Sequence, residues 1–138
     1  LFSPLSGFEL SSDQVYGLRE ELTLACVAAA YATGVSVLHG VSNLPYYYED
    51  RVLVLVDALQ HFGIVCEYHS GSLFITGGMP LGGDLDCAGD YHLALAMLML
   101  GLRSREMTKV HDCQKLLEEF TELESITAQL GFHCAVMQ

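Results

Sequence analysis

Two residue pairs have a spacing at which side chains can share a metal ion, Cys66 with His69 and His111 with Cys113. A structural zinc site takes four such ligands, and neither pair has a second one nearby in sequence, so no metal centre is expected. Three consecutive tyrosines, Tyr46, Tyr47 and Tyr48, suggest a platform for stacked bases. Such platforms work beside basic side chains, which these tyrosines lack, so a packed or partly exposed loop is the better reading. Arg51 is open to two readings: an ion pair with Glu49, Asp50 or another acid on a surface helix, or a grip on an anionic ligand. His92 opens an apolar run, where a satisfied or half-exposed histidine is the plainer reading. Met97 and Met99 read as core filler, and Glu118, Glu119 and Glu122 as a solvated helix face.

The elements that must position these residues form a repeat. An apolar helix from about Leu22 to Ala32, a strand at Val35 to Leu38, an amphipathic helix from about Glu49 to His61 and a strand at Ile64 to Tyr68 follow one another. A turn at Ser70 and Gly71 and a strand at Leu73 to Ile75 complete the set. The order then recurs as an apolar helix from about Tyr91 to Leu100, a strand at Met107 to Val110, an amphipathic helix from Cys113 to Leu130 and a strand at Phe132 to Val136. At an offset of about 68 residues, Gly63 meets Gly131, Cys66 meets Cys134 and Leu55 meets Leu123, a period long enough to mark repeated structural units. Val52, Leu55, Val56 and Leu59 recur at helical spacing, as do Leu116, Phe120, Leu123 and Leu130, so the amphipathic helices have one wet face. The apolar helices have none, which predicts burial on all sides. Pro80 and the glycines between Gly77 and Gly83 mark the break between units.

Composition bounds the function. The chain has 138 residues, suited to one core that buries roughly two-thirds of the unfolded surface. It is 51% hydrophobic, yet its longest apolar stretches run about ten residues, about half of what a bilayer-spanning helix needs. Six lysines and arginines against 17 acids give a net charge of -11, which argues against nucleic-acid and anionic-membrane partners. Five cysteines with no CxxC pair read as free thiols in a reducing cytoplasm. The amino terminus lacks the order of a signal peptide, although a chain beginning at Leu1 leaves room for a removed segment.

Ala28–Gly40, Tyr47–Arg51, Leu73–Gly78, Gly89–Met97 and Cys113–Lys115, in their order and spacing between about Gly7 and Leu130, resemble part of the carboxyl-terminal domain of the enolpyruvyl transferase family, nearest the branch that acts on shikimate 3-phosphate. Ala28–Gly40 is similar to that family's alanine-rich helix, glycine and strand. Tyr47–Arg51 stands where the family has Lys-Glu-Ser/Thr-Asp-Arg, and Arg51 follows Gly34 at the family's spacing. Leu73–Gly78 resembles the strand that ends a unit, Gly89–Met97 resembles Asp-His-Arg with its buried helix, and Cys113–Lys115 resembles Cys-x-x-Lys. The resemblance implies an inside-out α/β barrel with two of three repeat units present, at about 7–78 and 84–138.

Carried over by position, the resemblance makes Arg51 an arginine that grips phosphoenolpyruvate and places Glu20 near the catalytic aspartate, one methylene longer. Asp90 matches the start of Asp-His-Arg, while His92 takes the place of a second gripping arginine. Lys115 lies one residue closer to the cysteine than the family's lysine. Tyr47 and Tyr48 replace a lysine and a glutamate used in proton transfer, and phenols, with a reference pKa of about 10, are poor substitutes for a fixed cation. The implied reaction moves the enolpyruvyl group of phosphoenolpyruvate to the 5-hydroxyl of shikimate 3-phosphate, with no cofactor. The same substitutions leave open a diverged, non-catalytic binding or scaffold domain of the same fold. A sister reaction on UDP-N-acetylglucosamine is a third, weaker reading. Three expectations follow. The isolated chain is inactive because the remaining domain is needed, its incomplete barrel leaves an apolar flank that favours self-association, and Arg51, His92 and the helix amides near Asp90 converge on an anion pocket.

Overall fold

The computed structural model describes residues 5–104, 106–112 and 114–129. It begins with β1 (Glu9–Leu10), α1 (Ser12–Gly17), α2 (Leu22–Tyr31) and β2 (Val35–Leu38). After a short 3-10 turn at Val41–Asn43 come α3 (Tyr46–His61), β3 (Val65–His69) and β4 (Ser72–Thr76). The second half contains β5 (Gly83–Asp86), α4 (Tyr91–Gly101), β6 (Thr108–His111), α5 (Gln114–Glu119) and α6 (Leu123–Gln129).

One sheet has the order β1-β2-β4-β3, in which β1 and β2 are parallel and β4 is antiparallel to both neighbours. The other pairs β5 with β6 in parallel. Parallel neighbours need a crossover, and the apolar helices provide it: α2 lies between β1 and β2, and α4 between β5 and β6. The order strand, apolar helix, parallel strand thus occurs twice among the described residues. On β4, Leu73 and Ile75 alternate into the core, and on β2 the alternation carries Ser36 inside as well. That buried hydroxyl is satisfied by accepting a hydrogen bond from the Phe8 amide at 3.1 Å.

The apolar helices α2 and α4 pack against each other. The Tyr31 hydroxyl of α2 donates to the Met99 carbonyl of α4, and Arg103 Nη1 donates to the Tyr31 carbonyl at 2.7 Å. Their inner faces carry Cys26, Val27, Ala30, Ala94 and Met97, all at most 1% exposed. Burial on all sides does not hold, however. Leu24 is 40% and Met99 37% exposed, so each helix keeps one uncovered apolar row. The helix α3 packs Leu55 and Leu59 inward beside Phe62, then ends at Gly63, whose φ of 85° reverses the chain toward β3.

Other differences have local causes. The helix α3 starts three residues before the expected Glu49, so Tyr46–Tyr48 form its first turn and not a loop. Pro45 is its N-cap, and the Pro45 carbonyl accepts the first hydrogen bonds of the helix, from the Tyr48 amide at 2.9 Å and the Glu49 amide at 3.2 Å. The long helix expected from Cys113 to Leu130 is divided into α5 and α6, and Phe120 at the division is 43% exposed. Glu118 and Glu119 end α5 with no basic residue in its last turn, and negative charge there opposes the helix dipole. The strands β1 and β5 were not expected from sequence, because two to four residues rich in Gly, Asp and Glu carry no apolar alternation. Cys113 and the strand expected at 132–136 lie outside the described residues.

Candidate functional site

The amino-terminal half of α3, the start of α4 with the loop before it, and the start of α5 surround a cleft of about 430 Å³. Arg51, Asp90, His92 and Lys115 all line it, although they span more than 60 positions of the chain. A second cleft of about 450 Å³ shares Tyr91 and His92 as a wall and carries Glu20, Glu21 and Leu24 opposite. All five site residues expected from the sequence therefore gather around one pair of adjoining hollows.

Each is held differently. Arg51 lies one helical turn after Tyr47, and its Nη2 donates to the Tyr47 hydroxyl while the guanidinium sits 4.7 Å from the ring centroid. Its Nη1 is buried and has no protein partner among the described residues. A buried guanidinium nitrogen without an acceptor is costly, and an anion in the cleft would supply one. The surface ion pair to Glu49 or Asp50 is not formed among the described residues. Asp90 caps α4, its carboxylate accepting from the His92 amide at 3.0 Å and the Leu93 amide at 3.3 Å. The expectation that these amides face an anion is therefore corrected: the protein's own carboxylate already occupies them.

His92 is half-buried, its ring 4.2 Å from that of Tyr91. Lys115 is exposed and brings its Nζ within 6.0 Å of the other side of the cleft at the Tyr91 ring. Glu20 sits in the link between α1 and α2, where its Oε1 accepts from the Tyr48 hydroxyl at 2.6 Å. That carboxylate pushes the Tyr48 phenol above the ordinary tyrosine range, chiefly through the hydrogen bond, so the phenol remains a protonated donor. The Arg19 guanidinium, 4.4 Å from the Tyr16 ring and 5.9 Å from the Tyr48 ring, opposes the shift.

Sequence reasoning read Tyr47 and Tyr48 only as replacements, and did not foresee that Tyr47 lines the first cleft or that Tyr48 contacts Glu20. The Tyr47 to Arg51 spacing was a readable signal, since residues four apart share a helix face. The Tyr48 to Glu20 contact joins residues 28 apart and left no trace in local pattern. Among the described residues no three His, Cys, Asp or Glu side chains gather as metal ligands. No described helix is long and apolar enough to cross a membrane.

Two parallel strand pairs bridged by apolar helices, with a cleft that sets Arg51 and Lys115 beside Asp50 and Asp90 near the helix starts, make up a fold shared with solved enolpyruvyl transferases. A solved structure of the enolpyruvyl transferase NikO from Streptomyces tendae shares that fold at a TM-score of 0.67 and 20% identity, over 95% of this chain and 29% of that one. The likeness to EPSP synthase from Acinetobacter baumannii is greater, with a TM-score of 0.86 and 26% identity over 98% of this chain and 32% of that one. The family model of EPSP synthase (3-phosphoshikimate 1-carboxyvinyltransferase) matches residues 6–125, and the chain belongs to that family. Curated 3-phosphoshikimate 1-carboxyvinyltransferases agree. That of Desulforamulus reducens is 37% identical over 79% of this chain and 26% of its own length, and that of Coxiella burnetii 28% identical over 94% of this chain. The chain spans about 30% of the length of the Coxiella burnetii relative.

Proposed function

We propose that this chain forms one wall of the active site of a longer 3-phosphoshikimate 1-carboxyvinyltransferase-like protein. The reaction breaks the bond between phosphoenolpyruvate's C2 and its phosphate oxygen and joins C2 to the 5-hydroxyl oxygen of shikimate 3-phosphate; the hydroxyl proton is lost and phosphate leaves. The observation that carries the proposal is the gathering of Arg51, His92 and Lys115 in one cleft beside Glu20, with a buried Arg51 nitrogen lacking a partner. In this reading Arg51 grips an anionic group of phosphoenolpyruvate, His92 and Lys115 add donors, and Glu20 faces the acceptor hydroxyl. The rest of the parent supplies the opposite wall and covers the open row at Leu24 and Met99.

A second reading, a non-catalytic domain of the same fold, is favoured by one observation. Both tyrosines that stand in place of a lysine and a glutamate are committed to hydrogen bonds within the site. The isolated chain is inactive in either reading, because it lacks an opposite wall and a proton-transferring pair. Phosphate release from phosphoenolpyruvate and shikimate 3-phosphate by the purified chain is expected to stay at background, and turnover abolished by Arg51→Ala would overturn that. Intact mass in the source cell separates parent from fragment. A polypeptide of about 430 residues, the length at which 129 aligned residues make up 30%, supports the transferase reading. A stable 138-residue product supports the diverged domain.

A further inference from the structure

We infer that Tyr47 and Tyr48 are positioning residues: from one turn of α3, the first holds Arg51 and the second holds Glu20 at the two clefts. The inference rests on the functional reading only for the use to which the held groups are put; the contacts can be tested with no ligand present.

The physical need for such residues is plain. Arginine and glutamate have many rotamers, and Glu20 is exposed in a link outside any helix, so neither is fixed by packing alone. A tyrosine has only two side-chain torsions and brings a hydroxyl to the end of a stiff ring. Here the rings brace each other edge to face, centroids 5.3 Å apart at 83°. From that unit one hydroxyl accepts from Arg51 Nη2 and the other donates to Glu20 Oε1 at 2.6 Å. Arg19, stacked over Tyr16 with its Nη1 donating to the Tyr16 carbonyl at 2.9 Å, lies 5.9 Å from the Tyr48 ring centroid.

The extra methylene of Glu20 belongs to the same arrangement, since it lets the carboxylate reach the phenol. A lysine and glutamate pair exchanges protons with a reacting carbon, whereas here the Tyr47 hydroxyl accepts from Arg51 and the Tyr48 hydroxyl donates to Glu20. The pair therefore supplies geometry to the site and not proton transfer.

The test is side-chain NMR on the isotopically labelled 138-residue chain. In the starting protein the three-bond couplings of Glu20 should report one rotamer, and the Arg51 Nε–H should show restricted motion. Tyr48→Phe should average the Glu20 couplings and spare Arg51; Tyr47→Phe should loosen Arg51 and spare Glu20. Phenylalanine preserves the rings, so the melting temperature should stay within about 5 °C. Glu20→Gln keeps length and acceptor and should keep the rotamer, while Glu20→Asp, being shorter, should free the Tyr48 hydroxyl and move its Cζ shift toward that of an exposed tyrosine. The aspartate variant leaves α3 unaltered and decides the Tyr48 contact even if Tyr48→Phe fails to fold, and the Tyr47 Cζ shift in Arg51→Ala does the same for the Tyr47 contact. Averaged Glu20 couplings in the starting protein, or phenylalanine and aspartate variants that change nothing, would overturn the inference. The use of the site is tested apart from this by phosphate titration of Arg51→Ala.

Discussion

Gly77 is the position where one added methyl should do most damage. At the end of β4 the chain runs across the carboxyl end of α2, where the Gly77 amide donates to the Gly34 carbonyl at 3.0 Å and the Gly78 amide to the Ala30 carbonyl at 3.1 Å. An ideal Cβ on Gly77 would lie 1.6 Å from the Ala32 carbonyl oxygen, and that oxygen is backbone that cannot rotate away. Ordinary contact begins at 3.4 Å, so roughly 1.8 Å of clearance must come from moving β4 off α2. Overpacking of this kind costs about 1–3 kcal/mol, and losing both hydrogen bonds adds about 1 kcal/mol each. The expected loss for Gly77→Ala is therefore about 3–5 kcal/mol, a large share of the roughly 5–15 kcal/mol that holds a domain together. Gly78→Ala is the control, since its Cβ would meet nothing within 4 Å, and it should change stability by less than about 0.5 kcal/mol. Urea unfolding followed by circular dichroism reads both. A Gly77→Ala midpoint equal to that of Gly78→Ala would refute the close approach of β4 to α2.

Burial raises the Cys26 thiol from 9.0 to about 12, with a smaller contribution from Cys66, which burial lifts to about 11. Their contribution to stability is then complete below pH 9 and lost as pH climbs toward 12, by on the order of 4 kcal/mol for Cys26 alone. Urea midpoints should fall across that window and fall less steeply in Cys26→Ala; parallel slopes would contradict it. Asp90→Ala should cost about 1 kcal/mol by uncapping α4, and Asp90→Asn much less, as thermal melts would report. The open row at Leu24 and Met99 should make the isolated chain self-associate, with Leu24→Glu combined with Met99→Glu restoring the monomer in sedimentation equilibrium. A strictly monomeric starting protein at high concentration would count against that.

What was legible in the sequence follows from how local each cause is. The helices α2 and α4 announce themselves by uninterrupted apolar residues, and β2, lying between Gly34 and Gly40, is bounded by its own turn residues. The strands β1 and β5 are defined by partners dozens of residues away, and nothing in Glu9–Leu10 or Gly83–Asp86 carries that information. The uncovered face of α2 and α4 was illegible for another reason. An apolar helix demands burial, but its sequence does not say whether the covering element lies within the same 138 residues. At the site, Arg51, Asp90, His92 and Lys115, which line one cleft, were singled out through family resemblance and not from their own chemistry. The roles of Tyr47 and Tyr48 were hidden because those positions read as losses, when their hydroxyls in fact reach the two charged groups beside them.

Titration of the labelled chain with inorganic phosphate and with phosphoenolpyruvate tests the central claim most directly, because it asks whether these residues still meet as an anion site. The account predicts amide shifts confined to the neighbourhood of Arg51 and to 89–93, with affinity reduced about tenfold or more in Arg51→Ala. Shifts scattered over the surface, or a binding curve indifferent to Arg51→Ala, would contradict it.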